Sequence, residues 1–449
     1  MKRRPQHGRL LIAIGLASAL SGCGSDVADA RPQWRVIFGT DAPVPQMGDR
    51  LLIEVLDDAG GACSACRRQL GVADPSQWPV SFGILPPAGG GGLSVRARLY
   101  RAAVTSFDGF PSSDRIIDTI GRLPQVESIT DVGVELAMSC FGVPADVDAG
   151  TACDPSTGTA QPVAAFPVIE DPASVLRPGS WAPAQRVDCP GPAEEGMVCI
   201  PGGAFLLGSP DYLPLGDLNP VPEQLVQLSP FMLDVDEMTV EQMRSLVEQA
   251  GVDPPLPKGA GLQARCTFTT TPTPDGDAMP VNCVNRQTAR AACEALGKRL
   301  PTEAEREYAA GNLGLETTYP WGAGDPCENA IIGKGNPADD DVSSACREDP
   351  DELVGPRPEG SPFDVTSLGV RNMGGNLSEW TEDDFRSYAD SECWGAAAAL
   401  HVDPRCEAGG LPTGRGGSWA DLAFNAQVSV RGAYTDGNSN SRTGIRCAK

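Results

Sequence analysis

Histidine is almost missing from this chain, and this limits its chemistry at once. Only His7 and His401 occur among the 449 residues. His7 lies in a basic N-terminal segment, and a single histidine in a predicted loop is typically exposed to solvent rather than bound to a metal. We therefore exclude an iron centre held by three histidines and a Ser-His-Asp hydrolase.

Positive charge is also scarce. Lysine and arginine together number 35 against 59 acidic residues, which gives a formal net charge of -24. Removing residues 1–22, which carry four basic and no acidic side chains, changes this charge from -24 to -28. Because the acidic surplus is spread along the chain and repels phosphate backbones, we predict no nucleic-acid partner and expect solubility and an affinity for cations.

The apolar run at residues 10–20 is too short to span a bilayer, which needs about 20 residues. It follows basic residues and ends in Leu20-Ser-Gly-Cys23, which resembles a bacterial lipoprotein signal. We interpret residues 1–22 as the signal peptide, Cys23 as the lipid-bearing anchor and residues 23–33 as a polar spacer. The alternative is an ordinary signal peptide with a coincidental cysteine. Gly24, standing where some lipoproteins have an aspartate, favours the outer membrane of a bacterial envelope.

Fifteen cysteines in an exported chain indicate disulfides, and setting Cys23 aside leaves fourteen. Sequence neighbours suggest six pairs, and the two remaining cysteines would form a long seventh bond. The spacing of the first pair could instead be a redox or zinc motif, but no second ligand pair stands nearby, which favours a disulfide. The proposed pairs are Cys63 with Cys66, Cys140 with Cys153, Cys189 with Cys199, Cys266 with Cys283, Cys327 with Cys346, Cys393 with Cys406, and Cys293 with Cys447.

The N-terminal third reads as β-structure. Short apolar or alternating runs at residues 51–56, 93–99 and 132–138 are bounded by Gly, Pro or Asp, which is typical of half-buried antiparallel strands. Residues 34–145 are predicted to form a small β-sandwich, for which an immunoglobulin-like topology is one option. Residues 146–188 are rich in Pro, Ala and Gly without periodicity, so we predict an extended linker that holds the next domain away from the sandwich.

The sequence pattern changes from strand-like to helical and irregular from Cys189 onward. Capping-box starts at Thr239 and Thr302 and an apolar stripe ending at Leu296 predict three short helices. Beyond Tyr319 the chain is dominated by Gly, Asp, Pro and Asn. Such irregular backbone cannot satisfy its own polar groups as a helix does, so we expect disulfides and bound cations to stabilise it.

A series of sequence blocks runs through the C-terminal part of the chain. The blocks are Ile200-Pro-Gly-Gly-Ala-Phe-Leu-Leu-Gly-Ser209, Glu237-Met-Thr239, Pro280-Val-Asn282, Gly297-Lys-Arg-Leu-Pro-Thr-Glu-Ala-Glu305, Glu307-Tyr-Ala309, Pro320-Trp-Gly322, Asn372-Met-Gly-Gly-Asn376, Glu379-Trp-Thr381, Gly416-Gly-Ser-Trp419 and Gly444-Ile-Arg-Cys447. In this order, over residues 197–448, they resemble the formylglycine-generating enzymes, also called sulfatase-modifying factors. This resemblance implies an α+β variant of the C-type-lectin fold for residues 189–449, and a bond from the central helix at Cys293 to the chain end at Cys447. It says nothing about residues 24–188.

The same family implies two cysteines shortly after Gly416-Gly-Ser-Trp419, whose thiolates bind the copper that activates oxygen. Asp421 and Ala426 stand at those positions. A carboxylate is a hard ligand and a methyl group is none, so copper is not expected and no catalytic residue is predicted. Cys393 and Cys406 could be a displaced pair, but their separation and their place before Gly416 favour a loop disulfide.

Calcium is a second expectation that follows from the resemblance. It implies ligation by the side chains of Asn372 and Glu379 and by the carbonyl oxygens of Gly375 and Leu377, donors that suit a hard cation. The alternative is a tight turn in which the two side chains only cap backbone amides. Asn329 matches the first ligand of a second family site. Its later aspartate cannot be aligned among Asp339, Asp340 and Asp341, and the Cys327 to Cys346 loop could replace the ion.

These observations favour a non-catalytic binding or structural module on a lipid anchor. The groove implied by the family would be lined by Trp380, Ser418, Trp419 and Asp421, and its ligand would be a peptide, a glycan or an envelope protein. One alternative is a scaffolding role through the N-terminal sandwich. The other is an enzyme that uses Asp421 with Glu379 or Glu307 as acid and base.

Overall fold

A computed structural model of the chain describes residues 31–449 except 88–91, 106–109, 112–114, 211–219, 338–342, 350–351, 359, 396–398 and 436. The predicted signal peptide, Cys23 and the three aspartates at 339–341 lie outside the described residues. Within the described part of the chain, no helix has both the length and the apolar character needed to cross a membrane.

The N-terminal region is a sandwich of two sheets. One sheet has the order β4-β1-β7 and the other β3-β2-β5-β6. Their facing side chains, among them Val36, Phe38, Leu51 and Val134, form one buried core, which confirms the predicted all-β region. The strands are β1 Gln33–Thr40, β2 Arg50–Asp57, β3 Arg68–Gly71, β4 Val80–Ile84, β5 Leu93–Tyr100, β6 Ile116–Arg122 and β7 Ile129–Leu136.

One sheet of the sandwich departs from the predicted antiparallel pairing. Strands β1 and β7 run parallel, with Val36 opposite Val132 and Phe38 opposite Val134. The alternating pattern could not reveal this, because it fixes which face each side chain takes and not the direction of the neighbouring strand.

The prediction that residues 146–188 form an extended linker is wrong. Strands β8 (Thr151–Asp154) and β9 (Thr159–Pro162) form a hairpin, and the chain beyond them follows the sandwich. The Phe166 amide donates to the Arg122 carbonyl at 2.9 Å, and both Phe166 and Trp181 pack against the sandwich core. Composition suggested an extended chain, but these aromatic side chains bury enough apolar surface to hold it against the sheet.

The two domains are also in direct contact. Leu206 and Leu225 of the C-terminal domain are buried in the same cluster as the sandwich core. Arg101 of the sandwich pairs with Glu223 and Glu316 across the same boundary. The sandwich therefore packs on the C-terminal domain instead of being held away from it.

The C-terminal domain combines small sheets, short helices and much irregular chain, which confirms the predicted α+β class. Its sheets have the orders β10-β13, β11-β12-β15 and β17-β16-β14-β18. The strands are β10 Met197–Ile200, β11 Gly203–Leu207, β12 Gln224–Leu228, β13 Phe231–Asp234, β14 Ser378–Asp384, β15 His401–Val402, β16 Pro412–Arg415, β17 Arg431–Ala433 and β18 Thr443–Gly444. The helices are α1 Val240–Ala250, α2 Pro274–Asp277, α3 Arg286–Ala295, α4 Glu303–Ala310 and α5 Pro326–Asn329.

The helix starts follow local sequence signals. Thr239 and Thr302 both cap their helices in a complete capping box, with Gln242 and Glu305 as the third helical residues. Leu296, predicted to end the buried stripe of α3, instead follows the helix and is 45% exposed. The buried face of α3 therefore ends at Cys293, which is bonded to the chain terminus.

Seven disulfides are present, and they join the same seven pairs that the sequence suggested. The Cys293–Cys447 bond spans 154 residues and ties α3 to the C terminus. All fourteen described cysteines are thus bonded, and none of them offers a thiolate.

Candidate functional site

The two positions where the family resemblance implies copper thiolates lie after β16. Gly416 turns the chain with φ of 78°, and a side chain there would collide with Met373 and Arg306. Asp421 then folds back on the turn, where its Oδ2 accepts from the Ser418 amide at 2.8 Å and from the Ser418 hydroxyl at 2.6 Å. The carboxylate therefore caps a turn, a role that a short acid performs well.

The second of these positions is occupied by Ala426. Ala426 ends a short helical turn at Ala423–Ala426 and is fully buried. It packs in a small apolar cluster with Ala330, Ile332 and Cys346. The methyl group thus fills core space and presents no ligand atom.

Three of the four predicted groove residues do not line a groove. Trp380 and Trp419 are each 1% exposed, and their indole nitrogens donate to the carbonyls of Val284 and Ser441 at 2.9 Å. Ser418 is fully buried beneath the Asp421 carboxylate. Only Asp421 reaches the surface, with Arg442 3.9 Å from its second oxygen. The two tryptophans were predicted at a surface, but here they serve as core.

A pocket of about 170 Å³ opens elsewhere in this domain. It lies between β11, the end of α4 and the chain after Ala426. Among the described residues that line it, the polar groups are hydroxyl, amide and carboxylate, and none is a lysine, arginine or histidine. The lining residues are Phe205, Leu206, Gly208, Ser209, Glu307, Gly311, Gly314, Glu316, Thr317, Thr318, Gln427, Val428 and Ser429.

Glu307 is the buried acid of this pocket. Its Oε1 accepts from the Gly208 amide at 2.6 Å, and its Oε2 pairs with Arg415. Burial raises the pKa of Glu307, although Arg415 and the amide act in the opposite direction. The sequence had placed Glu307 and Gly208 in the family blocks, but it had no signal that the two residues share a pocket.

The predicted alternative of an acid and base pair gains no geometric support. Among the described residues, no hydrogen bond or ion pair joins Asp421 to Glu379 or to Glu307. Glu379 is fully buried between two arginines, whereas Glu307 faces the pocket and Asp421 faces Ser418. The three carboxylates therefore occupy separate environments.

The two side chains predicted to bind calcium, those of Asn372 and Glu379, are engaged by the protein itself. Both Glu379 oxygens accept from arginines, Oε2 from Arg306 at 2.8 Å and Oε1 from Arg446 at 2.7 Å. The Asn372 Oδ1 accepts from the Ser361 amide at 3.1 Å. Two guanidinium groups on the only acidic ligand repel a cation, so these residues do not fit a calcium ion.

The turn 372–379 is instead held by two other acids that the sequence analysis did not single out as ligands. Glu237 accepts from the Leu377 amide at 3.0 Å and from the Asn376 side chain at 2.6 Å. Asp364 accepts from the Gly374 and Gly375 amides, each at 2.9 Å. This resembles the predicted alternative of a capped turn, although the capping acids come from other parts of the chain.

Two further predicted residues lie apart from the pocket. Asn329 ends α5, and its amide donates to the Asp325 carbonyl at 2.8 Å. His401 lies in β15 and not in an exposed loop, with its ring centroid 6.0 Å from that of Trp394. Burial lowers the pKa of His401, so the ring is held mainly neutral near pH 7.

Comparison with known proteins agrees with the blocks in the sequence. The family described as the sulfatase-modifying factor enzyme 1-like domain matches residues 185–449. The chain therefore belongs to this family, and the matched region begins four residues before the boundary predicted at Cys189.

Relatives include both active and inactive proteins by name. The formylglycine-generating enzyme of Thermomonospora curvata is 28% identical over 303 residues, covering 57% of this chain and 93% of the relative. The inactive C-alpha-formylglycine-generating enzyme 2 of Mus musculus is 25% identical over 291 residues, covering 57% and 86%. The serine/threonine-protein kinase Pkn1 of Chlamydia trachomatis is 30% identical over 274 residues, but only 39% of the kinase is covered.

Solved structures with a similar fold include PvdO from Pseudomonas aeruginosa, with a TM-score of 0.40 and 21% identity over 59% of this chain and 98% of that protein. The variable protein 1 of Treponema denticola has a TM-score of 0.38 and 21% identity, covering 56% and 94%.

Proposed function

We propose that this protein is a lipid-anchored binding module of the bacterial envelope, built on a sulfatase-modifying-factor domain that no longer performs copper oxidase chemistry. One observation carries the proposal. At the two positions where the family resemblance implies copper thiolates, Asp421 caps Ser418 and Ala426 fills a core cluster. Neither group is a soft ligand. The fourteen cysteines of the described residues all form disulfides, so none of them offers a thiolate.

The pocket beside Glu307 is the proposed binding site. Hydroxyl and amide groups from Ser209, Gln427 and Ser429 stand beside the apolar side chains of Phe205 and Val428. Hydroxyl-bearing ligands commonly bind where polar groups adjoin an apolar surface. Arg415 and Arg101 already pair with the two acids of the lining, Glu307 and Glu316, and none of the described lining residues is basic, so the pocket offers no free cation to an anionic ligand. A neutral group of a glycan or peptide suits this chemistry.

The anchor completes the proposal. Lipid on Cys23 would hold the protein at a membrane surface, and the outer membrane is favoured by Gly24. One relative of this chain is itself named an inactive C-alpha-formylglycine-generating enzyme 2. This name supports the proposal that a member of the family can lack the oxidase activity. The ligand of this chain is then an envelope glycan or a peptide of a neighbouring envelope protein.

The catalytic part of the proposal is tested by incubating the purified protein with copper, oxygen and a Cys-x-Pro-x-Arg peptide. The formylglycine-generating enzyme of Thermomonospora curvata serves as the positive control. We expect no aldehyde by mass spectrometry, because Asp421 and Ala426 cannot hold copper. Aldehyde formation by this chain would refute the proposal.

The binding part is tested by applying glycans and peptides from the envelope to the immobilised protein. The variant Gln427→Ala should weaken binding because its amide lines the pocket, whereas Arg35→Ala on the sandwich should leave binding unchanged. If Gln427→Ala bound the ligand as tightly as Arg35→Ala, the pocket beside Glu307 would not be the binding site. For the anchor, a labelled fatty acid should appear on the wild type and not on Cys23→Ser.

A further inference from the structure

A fully enclosed ion-pair cluster lies beneath the turn 372–379. Glu379 is 0% exposed, and its two oxygens accept separately from Arg306 and Arg446. Arg306 is 1% exposed and Arg446 is 0% exposed. Burying charge at this depth is costly unless each group is paired and hydrogen-bonded, so the arrangement requires a structural purpose.

The two guanidinium groups also satisfy loop carbonyls. Arg306 donates to the Met373 carbonyl at 2.6 Å. Arg446 donates to the carbonyls of Asp234, Val235 and Arg371 at 2.6–2.8 Å. A bound cation commonly draws irregular backbone together through carbonyl oxygens, and here fixed side-chain cations make that type of contact.

The amide side chains of the turn are turned away from metal binding. Asn372 donates through Nδ2 to Glu237 at 3.1 Å, while its oxygen is taken by the Ser361 amide. Asn376 donates to the same Glu237 at 2.6 Å, and its oxygen accepts from the Arg357 amide at 2.8 Å. The Asn372 oxygen implied for calcium is therefore already bonded to an N–H group, as are both oxygens of Glu379.

The charges of the cluster lead to the same conclusion. Three buried acids, Glu237, Asp364 and Glu379, face the two arginines. Adding a divalent cation beside two guanidinium groups would create strong like-charge repulsion in a low-dielectric interior. Removing Arg306 would leave Glu379 paired with Arg446 alone and would widen the excess of acids over arginines in the cluster.

We propose that the Arg306 guanidinium takes the structural place of the family's calcium, so that the turn 372–379 is locked by an internal cation and the domain folds without the metal. The proposal goes beyond the binding function and is independent of it. Calcium chelation should leave the native domain intact, because its cation is part of the chain.

The test compares thermal unfolding of the lipid-free protein in millimolar calcium and in EGTA, together with bound calcium measured by mass spectrometry. The wild type should show the same midpoint in both and no retained calcium. Arg306→Met should unfold roughly 5–15 °C lower in EGTA, since it leaves Glu379 half unpaired. Calcium should then raise the midpoint of this variant by several degrees, because the acids and the Met373 carbonyl become available.

Arg299→Met serves as the control variant. Arg299→Met removes a partly exposed arginine that pairs with Glu305 in the same domain, and it should show no response to calcium. If Arg306→Met does not fold, the wild type decides the question by itself. A calcium-dependent midpoint or retained calcium in the wild type would overturn the proposal, as would an Arg306→Met variant as stable as the wild type.

Discussion

The two domains of this protein solve the problem of stability in different ways. The sandwich buries apolar faces of regular strands, such as those carrying Val36 and Leu51, and its backbone polar groups pair along the sheets. The C-terminal domain has short elements and long irregular segments, and it buries arginines and acids in addition to apolar side chains. Regular strands satisfy their own backbone, whereas loops need partners from elsewhere in the chain.

Buried arginines supply many of those partners. Arg446, Arg306 and Arg415 each donate to at least one loop carbonyl while pairing with an acid. Guanidinium has five donors in a fixed plane, so one side chain can satisfy several backbone oxygens and a carboxylate together. A loop-rich domain can therefore replace sheet hydrogen bonds by hydrogen bonds from a few charged side chains, provided that each charge is paired.

The largest expected effect concerns a disulfide of the C-terminal domain. Replacing both Cys293 and Cys447 by alanine opens a loop of 154 residues and should cost about 5 kcal/mol in the free energy of unfolding. The matched change of Cys63 and Cys66, which are three residues apart, should cost about 2 kcal/mol. Urea unfolding followed by tryptophan fluorescence measures both. Equal losses would show that loop closure is not what these bonds contribute.

Breaking a buried ion pair should rank next. Arg415 is fully buried between Glu307 and Glu303, the latter 3.3 Å from its Nε. Arg415→Met leaves two acids without this partner and should lower the free energy of unfolding by about 3–5 kcal/mol. In the sandwich, Arg35→Met removes an ion pair whose arginine side chain is 51% exposed, and the loss should be about 0–1 kcal/mol. Chemical denaturation of both variants measures the two losses. Equal losses would contradict the expected difference between a buried and an exposed ion pair.

The smallest expected effect, taken per pH unit, is a difference in the pH dependence of the free energy of unfolding. Burial raises the pKa of Asp383, in the C-terminal domain, to about 7 from an ordinary value of 3.8. The native state therefore holds a proton that the unfolded chain has released, and stability should fall as the pH rises from about 4 to 7, by at most about 1.4 kcal/mol per pH unit. Asp383→Asn should flatten this slope in urea unfolding measured across that range.

An acid of the sandwich should behave in the opposite sense. The hydrogen bond from Arg35 lowers the pKa of Asp131, so its contribution is present above the ordinary value near 3.8 and is lost as the pH falls below it. Asp131→Asn should therefore remove part of the acid-side loss and leave the slope between pH 4 and 7 unchanged. A steeper slope in that range for Asp131→Asn would contradict the assignment.

Local features of the fold were predictable from the sequence because they depend on neighbouring residues. The capping boxes at Thr239 and Thr302, the strands around Leu51 and Val95 and the short-range disulfides each follow from a spacing of a few residues. The family blocks gave the C-terminal fold, since several motifs in order are hard to obtain by chance. The parallel pairing of β1 and β7 and the packing of residues 146–188 depend on distant partners and were missed.

The candidate site was less predictable, for a related reason. Trp380 and Trp419 were expected in a groove, but the same aromatic side chains suit a core equally well, and only packing chooses between these roles. The pocket beside Glu307 joins β11, α4 and the chain after Ala426, which lie far apart in sequence. No local pattern reports such a meeting.

From residue identity alone, the sequence indicated the family, the cysteine pairs and, through the family resemblance, that Asp421 and Ala426 stand where two copper thiolates are implied. Only the tertiary structure decided what the new residues do. It bonded Asp421 to Ser418, packed Ala426 into a core cluster and placed Arg306 against Glu379. The physical reason is that hydrogen bonds and ion pairs act over a few ångströms, and this domain brings together partners that are separated by tens to hundreds of residues.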